Sequence, residues 1–235
     1  MTARVNTLGQ PIGAALPDWT GCAPIPKTAM QGRSCDVVPL APRHSKDLHK
    51  AFSTDQTGAI WTYMPTGPFE AERDFVAWVA QACESTDPLF FAIIDKSTSK
   101  PVGVASFLRI QPPHGVVEVG FITYAPQLQR TVMATEAMYL MMKRAFDELG
   151  YRRYEWKCDA LNAPSRRAAK RLGFSFDGLF KQALVYKGRN RDTAWYSIID
   201  TDWPRIRAGL EGWLDAGNFD QCGAQRTRLD LQDRA

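Results

Sequence analysis

The amino-acid sequence predicts an α+β or α/β fold, a mixed sheet with helices on both of its faces. Two pairs of strand-like segments indicate antiparallel hairpins, one around the polar turn 96–100 and one around residues 188–191. Between them, residues 118–174 alternate strand, polar turn, helix, strand and helix. Hairpins on either side of such a β-α-β-α core are typical of a layered sheet domain.

The first elements in chain order are an arm, a strand and a helix. Residues 1–33 are rich in Gly, Pro and small residues, which predicts an extended arm without a core of its own. Apolar residues such as Trp19 and Ile25 would hold this arm against the domain. Residues 34–40 predict a short strand, and residues 42–52 predict a helix with a proline in its first turn.

The middle of the chain predicts a loop, a helix and three strands. Residues 54–68 are punctuated by Gly and Pro and indicate a loop, whose aromatic residues either line a substrate mouth or pack onto the core. Residues 70–83 carry apolar side chains at spacings of three and four, which is a helical stripe. Strands follow at 89–94, 102–110 and 116–123.

The last part of the chain predicts a long helix and a strand with two different faces. The helix spans residues 133–149, where an apolar stripe ends at Gly150. In the strand at 154–159, aromatic and Cys residues alternate with charged ones. The remaining predicted elements are a helix from Pro164 to Gly173, strands at 183–187 and 193–199, a helix at 202–214, and a loose polar tail at 217–235.

The length of 235 residues and the apolar content of 45% predict one globular domain with extensions. We expect the arm at 1–33, the domain at 34–203, and a C-terminal helix with its polar tail at 204–235. No apolar run reaches the length of a membrane span, and no secretory signal is expected. The five cysteines are scattered, so neither a metal site nor a disulfide framework is expected, and the cytoplasm fits best.

Charge is distributed unevenly along the chain. The net charge is +4, but residues 152–191 hold eleven Lys or Arg against three acidic residues. A segment of this kind either meets a phosphorylated cofactor or another polyanion, or forms an ordinary solvated surface. Nucleic acid is not the expected partner, because the segment has no recognisable binding motif.

Four segments stand out in chain order. They are Glu118-Val-Gly-Phe-Ile-Thr-Tyr-Ala-Pro126, Gln129-Arg-Thr-Val-Met-Ala134, Asn162-Ala-Pro-Ser165 leading to Arg171-Leu-Gly-Phe174, and Gly178-Leu-Phe-Lys181 followed by Gly188-Arg-Asn-Arg-Asp192. Together they resemble the GCN5-related N-acetyltransferase (GNAT) superfamily, and most closely its RimJ/RimL-type branch of ribosomal-protein N-terminal acetyltransferase-like enzymes. The resemblance spans roughly residues 34–203 and implies the GNAT fold, with a central, mostly antiparallel sheet.

The resemblance implies that the second segment holds the pyrophosphate of acetyl-CoA at the start of a helix, where backbone N–H groups form an uncharged anion cradle. The family has a glycine where this chain has Val132, and a β-branched residue does not readily take a positive φ. Either the loop uses ordinary dihedral angles, or pyrophosphate binding is altered. The implied cofactor-binding residues here are Gln129, Arg130, Thr131, Val132, Met133, Ala134 and Thr135, with Arg171 further along the chain.

The resemblance also implies that the pantetheine arm of CoA pairs with the backbone of Phe121, Ile122 and Thr123, as an added strand would. A backbone N–H group in this stretch would stabilise the oxyanion of the tetrahedral intermediate. Asn162 would hold the pantetheine amide or cap the following helix, two roles that are compatible.

Two residues are the candidate catalytic groups, together with Asn162. Glu118 would be the general base, acting directly or through water, or else an exposed strand carboxylate. Ser165 would hydrogen-bond or protonate the CoA sulfur, or else be a polar residue in the first turn of a helix. Many relatives use a Tyr near the position of Ala169, which gives Ser165 more weight here. Cys158 is expected in the core.

The resemblance therefore predicts an acetyl-CoA-dependent N-acetyltransferase that acts by direct attack in a ternary complex. The acceptor would be a protein N-terminus, a small amine or an amino acid, in a site shaped by Glu118, Asp159 and the loop 61–64. The alternatives are a non-catalytic acyl-CoA-binding or interaction protein, a protein that acts on RNA or a ribosomal surface, and a succinyl or longer acyl donor. The arm and the last helix would cover either a neighbouring subunit, in a homodimer, or the domain itself.

Overall fold

Ten strands lie within residues 4–231, the part of the chain that this computed structural model describes. The first three residues of the predicted arm and the last four of the predicted tail lie outside it. The strands are β1 (Arg4–Val5), β2 (Pro11–Ile12), β3 (Met30–Gln31), β4 (Cys35–Pro39), β5 (Leu89–Asp95), β6 (Lys100–Gln111), β7 (Val116–Tyr124), β8 (Arg153–Asp159), β9 (Ser175–Tyr186) and β10 (Arg189–Ile199).

Eight of these strands form one sheet, in the order β3-β4-β5-β6-β7-β8-β10-β9, while β1 pairs with β2. All neighbours in the sheet are antiparallel except β7 and β8, which run parallel. A parallel pair requires a crossover connection, and the long helix after β7 supplies it. The predicted mixed and mostly antiparallel sheet is confirmed.

The helices cover both faces of this sheet. They are α1 (Ser45–Phe52), α2 (Glu72–Glu84), α3 (Val132–Lys143), α4 (Ala163–Arg171) and α5 (Trp203–Leu214), and a π-helical turn, Arg144–Glu148, extends α3. One apolar cluster packs α1 and α2 on one face, and a larger cluster packs α3 and α5 on the other. Strand β5 shows why both can form, because Phe90 and Phe91 point to opposite clusters. No helix in the described range is long and apolar enough to cross a membrane.

The closing hairpin is longer than its sequence pattern predicts. The expected strands at 183–187 and 193–199 are parts of β9 and β10, which pair from Arg189 opposite Tyr186 to Ser197 opposite Ser175. Strand β9 forms the edge of the sheet and is exposed along most of its length. A strand without a buried face shows no alternation of apolar and polar residues, so its first half carries no period-2 signal.

The later part of the arm and the end of the described tail both pack against the domain. In the arm, Ile25 is buried, and β3 adds a short strand to the edge of the sheet beside β4. The expectation of a loose tail is wrong for Leu231, which is buried against Gly209 of α5. A side chain at position 209 would occupy the space that Leu231 fills, and this long-range fit leaves no mark in the local sequence.

Candidate active site

Strands β7 and β8 run side by side only at their beginnings. Residues Val116–Val119 pair with Arg153–Trp156, and beyond these residues the two strands separate. A cleft with a volume of about 470 Å³ opens in the gap. A concave site of this size fits a small molecule or the end of a longer chain.

A β-bulge bends β7 where the strand borders the cleft. Phe121 has a positive φ of 49°, and the pairing of β7 with β6 shifts register between Gly120 and Thr123. Bulges re-aim backbone and side chains near functional sites. Phe121 and Ile122 line the cleft, whereas the buried Thr123 hydroxyl donates to the Phe121 carbonyl at 3.3 Å.

Glu118 lies in the cleft wall, and its side chain is only 6% exposed. The alternative of an exposed strand carboxylate is therefore wrong. Two cations approach its Oε2 atom: Lys157 Nζ at 3.1 Å and Arg109 Nη1 at 3.2 Å. A buried carboxylate requires such partners, because its charge would otherwise be stranded away from water.

Lys157 joins Glu118 to a longer chain of charges on the same face of the sheet. Its side chain is 5% exposed, and Nζ lies 2.6 Å from Glu155 Oε2 as well as near Glu118. The ammonium also lies 3.7 Å from the ring centroid of Trp195 on β10. Glu155 in turn accepts a hydrogen bond from Arg153 Nε at 2.7 Å. The network alternates positive and negative charges, so each buried charge is compensated.

Burial is the main influence on the ionisation of Glu118. It raises the pKa of Glu118 above the ordinary glutamate value, and the positive charges of Lys157 and Arg109 offset part of that rise. A carboxylate with a raised pKa is a stronger base than an exposed one and accepts a proton more readily at neutral pH.

Ser165 faces the cleft from the first turn of α4. The Trp156 indole Nε1–H donates a hydrogen bond to Ser165 Oγ at 2.9 Å. Because an indole N–H is a donor only, the Ser165 oxygen must accept here, and its own O–H acts as a donor, with the neighbouring Cys158 sulfur within its reach. This geometry suits a hydroxyl that stabilises a nearby anion.

Asn162 is the N-cap of α4, as one of its two predicted roles requires. Its Oδ1 atom accepts a hydrogen bond from the Ser165 N–H at 3.1 Å. This cap fixes the first turn of the helix and therefore the position of Ser165. The neighbouring Cys158 is buried in the large apolar cluster, and burial raises the pKa of its thiol, so it stays neutral at pH 7.

Thr131 begins α3 at the end of the loop that follows β7. Its Oγ1 atom accepts a hydrogen bond from the Ala134 N–H at 3.1 Å, and its hydroxyl donates to the Leu128 carbonyl at 2.7 Å. The N–H groups of Val132 and Met133 belong to the same first turn, where no intrahelical acceptor exists. These two groups remain available to an anion at the helix start.

Val132 takes ordinary dihedral angles, which answers the question raised by its replacement of the family glycine. It is the first residue of α3, whereas the positive φ in this loop, 63°, belongs to Arg130. The loop therefore turns one residue before Thr131, the N-cap, and Val132 follows in a helical conformation. No left-handed position is imposed on a β-branched side chain.

The other predicted cofactor residues lie around the start of α3 and outside the cleft lining. Gln129 Nε2 donates to the Tyr124 carbonyl at 3.1 Å, and Arg171 Nη1 donates to Thr135 Oγ1 at 3.0 Å. Met133 is partly buried against the large apolar cluster. The first contact ties the loop to the end of β7, and the second ties α4 to α3, so the groups that would meet a pyrophosphate are held by secondary structure.

The opposite side of the cleft is aromatic and charged. Phe180 and Trp195 stack with their ring centroids 4.3 Å apart, and Tyr63 of the loop 54–68 joins the lining. Trp61, in contrast, packs into the core beneath α1 and α2. The loop thus places one aromatic residue in the cleft wall and another in the core.

Asp159 also lines this side, but its two carboxylate oxygens already have partners. Oδ2 accepts from the Tyr186 hydroxyl at 2.8 Å, and Oδ1 accepts from the Leu161 N–H at 2.8 Å. Burial and the bond to Asp159 both raise the pKa of Tyr186, so this phenol is neutral at pH 7. Tyr186, Arg109, Trp156 and Lys157 are site residues that the sequence did not single out, because their roles depend on contacts between strands.

Comparisons with known proteins agree with this geometry. A sequence model of the acetyltransferase (GNAT) domain, of the RimJ/RimL-like type, matches residues 37–175, more than half of the chain. The crystal structure of a GCN5-related N-acetyltransferase from Brucella melitensis is 42% identical, with a TM-score of 0.89. The match covers 91% of this chain and 97% of that one.

More distant relatives agree as well. The uncharacterised N-acetyltransferase YnaD of Bacillus subtilis (strain 168) is 25% identical over 158 residues, which is 67% of this chain and 91% of the relative. The microcin C7 self-immunity acetyltransferase MccE, solved in complex with acetyl-CoA and AMP, is 22% identical with a TM-score of 0.63. That match covers 72% of this chain and 93% of the other, and it shows a shared fold.

Proposed function

This chain belongs to the GNAT acetyltransferase family, and we propose that it moves an acetyl group from acetyl-CoA to a primary amine by direct attack in a ternary complex. The observation that carries this proposal is the cleft between β7 and β8, which holds a buried carboxylate, Glu118, and a hydroxyl, Ser165, whose oxygen accepts from Trp156. The acceptor would be a protein N-terminus, a small amine or an amino acid.

Acetyl-CoA would be held mainly by backbone groups. Beyond Val119, the edge of β7 that faces β8 pairs with no strand of the described chain, so it can accept the pantetheine amides as a further strand. The N–H groups of Val132 and Met133 would meet the pyrophosphate at the start of α3. The ordinary dihedral angles of Val132 support this fit and remove the steric argument for a non-catalytic protein.

Glu118 would take the proton that the acceptor must lose. An ammonium group cannot attack a thioester, and a buried carboxylate with a raised pKa is a suitable base, directly or through a water molecule. The neutral amine then attacks the thioester carbon, and a C–N bond forms. Backbone N–H groups near the bulge at Phe121 would stabilise the resulting oxyanion.

Ser165 would act when the C–S bond breaks. The electron pair of that bond leaves with the CoA sulfur as a thiolate. Because Trp156 donates to the Ser165 oxygen, the Ser165 hydroxyl can hydrogen-bond the thiolate, or pass it a proton that is replaced by the second proton that the nitrogen loses as it becomes an amide. No covalent acyl-enzyme is needed, and the buried neutral Cys158 would remain a bystander.

The test compares the wild type with Glu118→Gln in two assays, acetyl-CoA binding by calorimetry and CoA release with a panel of amines. We expect the variant to bind acetyl-CoA as the wild type does and to lose roughly 10²–10⁴-fold in kcat/KM. Acetyl-CoA binding by the wild type without turnover of any amine would contradict an acetyltransferase function and support a binding role.

The pH profile provides the second readout. A base works only when it is deprotonated, so kcat/KM should fall as the pH drops through the raised pKa of Glu118. That limb should be absent in Glu118→Gln. The acidic limb could come from Glu118 or from the acceptor amine, and two acceptors whose amines differ in pKa distinguish these origins. A limb that moves with the acceptor belongs to the amine. A wild-type limb that persists in the variant would exclude Glu118 as the base.

A further inference from the structure

We infer that the acceptor carries a carboxylate in addition to its amine, and that Arg191 of β10 binds this carboxylate. The inference rests on the proposed function: with acetyl-CoA held along β7 and at the start of α3, the side of the cleft formed by β9 and β10 is left to the acceptor. It selects one chemical class among the amines that the family resemblance leaves open.

Arg191 is a partly buried guanidinium in the cleft wall. Its Nε donates to Thr193 Oγ1 at 3.2 Å, and its charged group lies 5.8 Å from the ring centroid of Tyr186. Among residues 4–231, no carboxylate forms an ion pair with it and no protein acceptor meets its two terminal nitrogens. Those nitrogens present the planar donor pair that binds a carboxylate in two parallel hydrogen bonds.

The acidic residues of the cleft are already engaged by other groups. Glu118 is held by Lys157 and Arg109, and Asp159 accepts from Tyr186 and a backbone N–H. A polycationic acceptor would therefore find no free carboxylate on this side, whereas an anionic acceptor would find an unpaired guanidinium. Unmatched charge of one sign selects a ligand of the other sign.

The strand register places Arg191 several residues from the proposed base. Thr193, to which its side chain bonds, pairs with Asp159, while Glu118 pairs with Glu155, four residues earlier on β8. At about 3.3 Å per residue, these backbone levels are roughly 13 Å apart along the strands, and the Lys157 level that the Glu118 carboxylate reaches is roughly 7 Å from the level of Thr193. The carboxylate should then be separated from the amine by a spacer longer than the single carbon of an α-amino acid.

The wall between these two levels is suited to an apolar spacer. Trp195, stacked on Phe180, lies on β10 between Thr193 and Ser197 and pairs with Lys157. Lys157 and Phe180 occupy the two faces of the Trp195 ring, so the exposed Phe180 ring and the edge of Trp195 would shield an aliphatic segment from water without requiring hydrogen bonds. An ω-amino acid and an N-terminal peptide with an early acidic side chain share this chemistry.

The variant for the test is Arg191→Gln, and Arg189→Gln is its matched control. Arg189 lies on the same strand, and its guanidinium is 5.2 Å from the same Tyr186 ring. However, it donates from Nη2 to the Thr62 carbonyl at 2.7 Å and does not line the cleft. The pair therefore separates a role in the cleft from the loss of one positive charge on this hairpin.

The kinetic arm compares 6-aminohexanoate with hexylamine, and an Ala-Asp dipeptide amide with Ala-Asn, using the full chain and acetyl-CoA. We expect the wild type to prefer the carboxylate-bearing member of at least one pair. Arg191→Gln should reduce that ratio of kcat/KM by about 10- to 100-fold, the range of a lost charged hydrogen bond, while Arg189→Gln keeps the wild-type ratio. The pair of acceptors whose ratio changes shows whether the carboxylate belongs to an ω-amino acid or to an acidic side chain of a peptide. A comparison of 4-aminobutanoate with glycine tests the length of the spacer between amine and carboxylate.

The binding arm requires no turnover, so it tests carboxylate binding by Arg191 separately from the proposed acetyltransferase function. Calorimetry with 6-acetamidohexanoate and N-hexylacetamide should show tighter binding of the anion to the wild type, lost in Arg191→Gln. Turnover of spermidine in preference to both carboxylates, or an unchanged ratio in Arg191→Gln, would overturn the inference and leave the acetyltransferase proposal intact. Loss of acetyl-CoA affinity in Arg191→Gln would assign this residue to the donor and also overturn it.

Discussion

The two sides of the cleft present different kinds of chemical groups to a ligand. On the side of α3 and α4, the polar groups on offer are backbone N–H and C=O groups and short capping side chains such as Thr131. On the side of β8, β10 and β9, they are charged and aromatic side chains, with Lys157 of β8 at the centre of a buried ionic network. Backbone groups depend on the fold, whereas side chains change with each substitution. The side of α3 and α4, where acetyl-CoA would bind, is the donor side and should therefore tolerate amino-acid substitutions. The side of β8, β10 and β9 is the acceptor side and should not.

The largest effect on the acceptor side is expected from the replacement of Lys157. In Lys157→Met, the buried carboxylates of Glu118 and Glu155 lose the cation they share. We expect the free energy of unfolding, measured by urea denaturation, to fall by about 3–5 kcal/mol, as for other buried pairs that lose one partner.

The exposed Lys181→Met is the control for this change and should stay within about 0.5 kcal/mol of the wild type. If enough folded Lys157→Met can be isolated, the acidic limb of its pH profile should move to higher pH. The reason is that Lys157 lowers the pKa of Glu118 against the effect of burial. Equal stability of the two variants would mean that the network is solvated.

On the donor side, the largest effect is expected from the carboxylate that fastens α3 to the arm. Glu136 accepts hydrogen bonds from the N–H groups of Arg33, at 2.6 Å, and Ser34, at 2.7 Å, and from the Ser34 hydroxyl. A glutamine at this position would offer only one acceptor oxygen, and its side-chain NH₂ group would face backbone N–H groups that also need an acceptor. Glu136→Gln should lower the free energy of unfolding at pH 7 by about 1–3 kcal/mol.

The pH dependence of this effect has a definite sign. Burial tends to raise the pKa of Glu136, but the hydrogen bonds from Ser34 and the backbone outweigh it, so the pKa is lowered from 4.5. The stabilisation is present above the unfolded value and is lost as the pH falls through the folded one. The difference between wild type and Glu136→Gln should therefore shrink between pH 7 and pH 3. A constant difference would show that the hydrogen bonds do not depend on the charge.

A smaller effect is expected at the start of α3. Thr131→Ala removes the oxygen that accepts from the Ala134 N–H, which should lower the free energy of unfolding by about 1 kcal/mol. Thr131→Ser keeps that oxygen and is the matched control. A loss in the serine variant equal to that in the alanine variant would assign the effect to methyl packing.

The smallest effect should come from the position where the chain departs from its family. Val132→Gly restores the glycine, but the residue already has ordinary dihedral angles at the beginning of α3. Calorimetry should give an acetyl-CoA dissociation constant within about 2-fold of the wild type, and stability should fall by at most about 1 kcal/mol. A gain of 10-fold or more in affinity would show that the valine does obstruct the pyrophosphate.

The uneven charge along the chain illustrates what a local pattern cannot show. The cations of residues 152–191 do not form one surface. Arg153 and Lys157 enter the buried network, and Arg171 bonds to Thr135. Arg191 remains in the cleft without a carboxylate partner in the described chain. A count of charges is fixed by composition, but their directions follow from strand register and from the pairing of β8 with β10.

The sequence by itself determined the elements and the candidate residues whose signals are local. The helix beginning near Val132, the cap at Asn162 and the strand that carries Glu118 all follow from patterns within a few residues. Only the tertiary structure decided that Glu118 is buried between Lys157 and Arg109, and that Trp156 donates to Ser165. The physical reason is distance along the chain. Caps and periodicities act between near neighbours, whereas ion pairs across a sheet depend on a register that no single segment encodes.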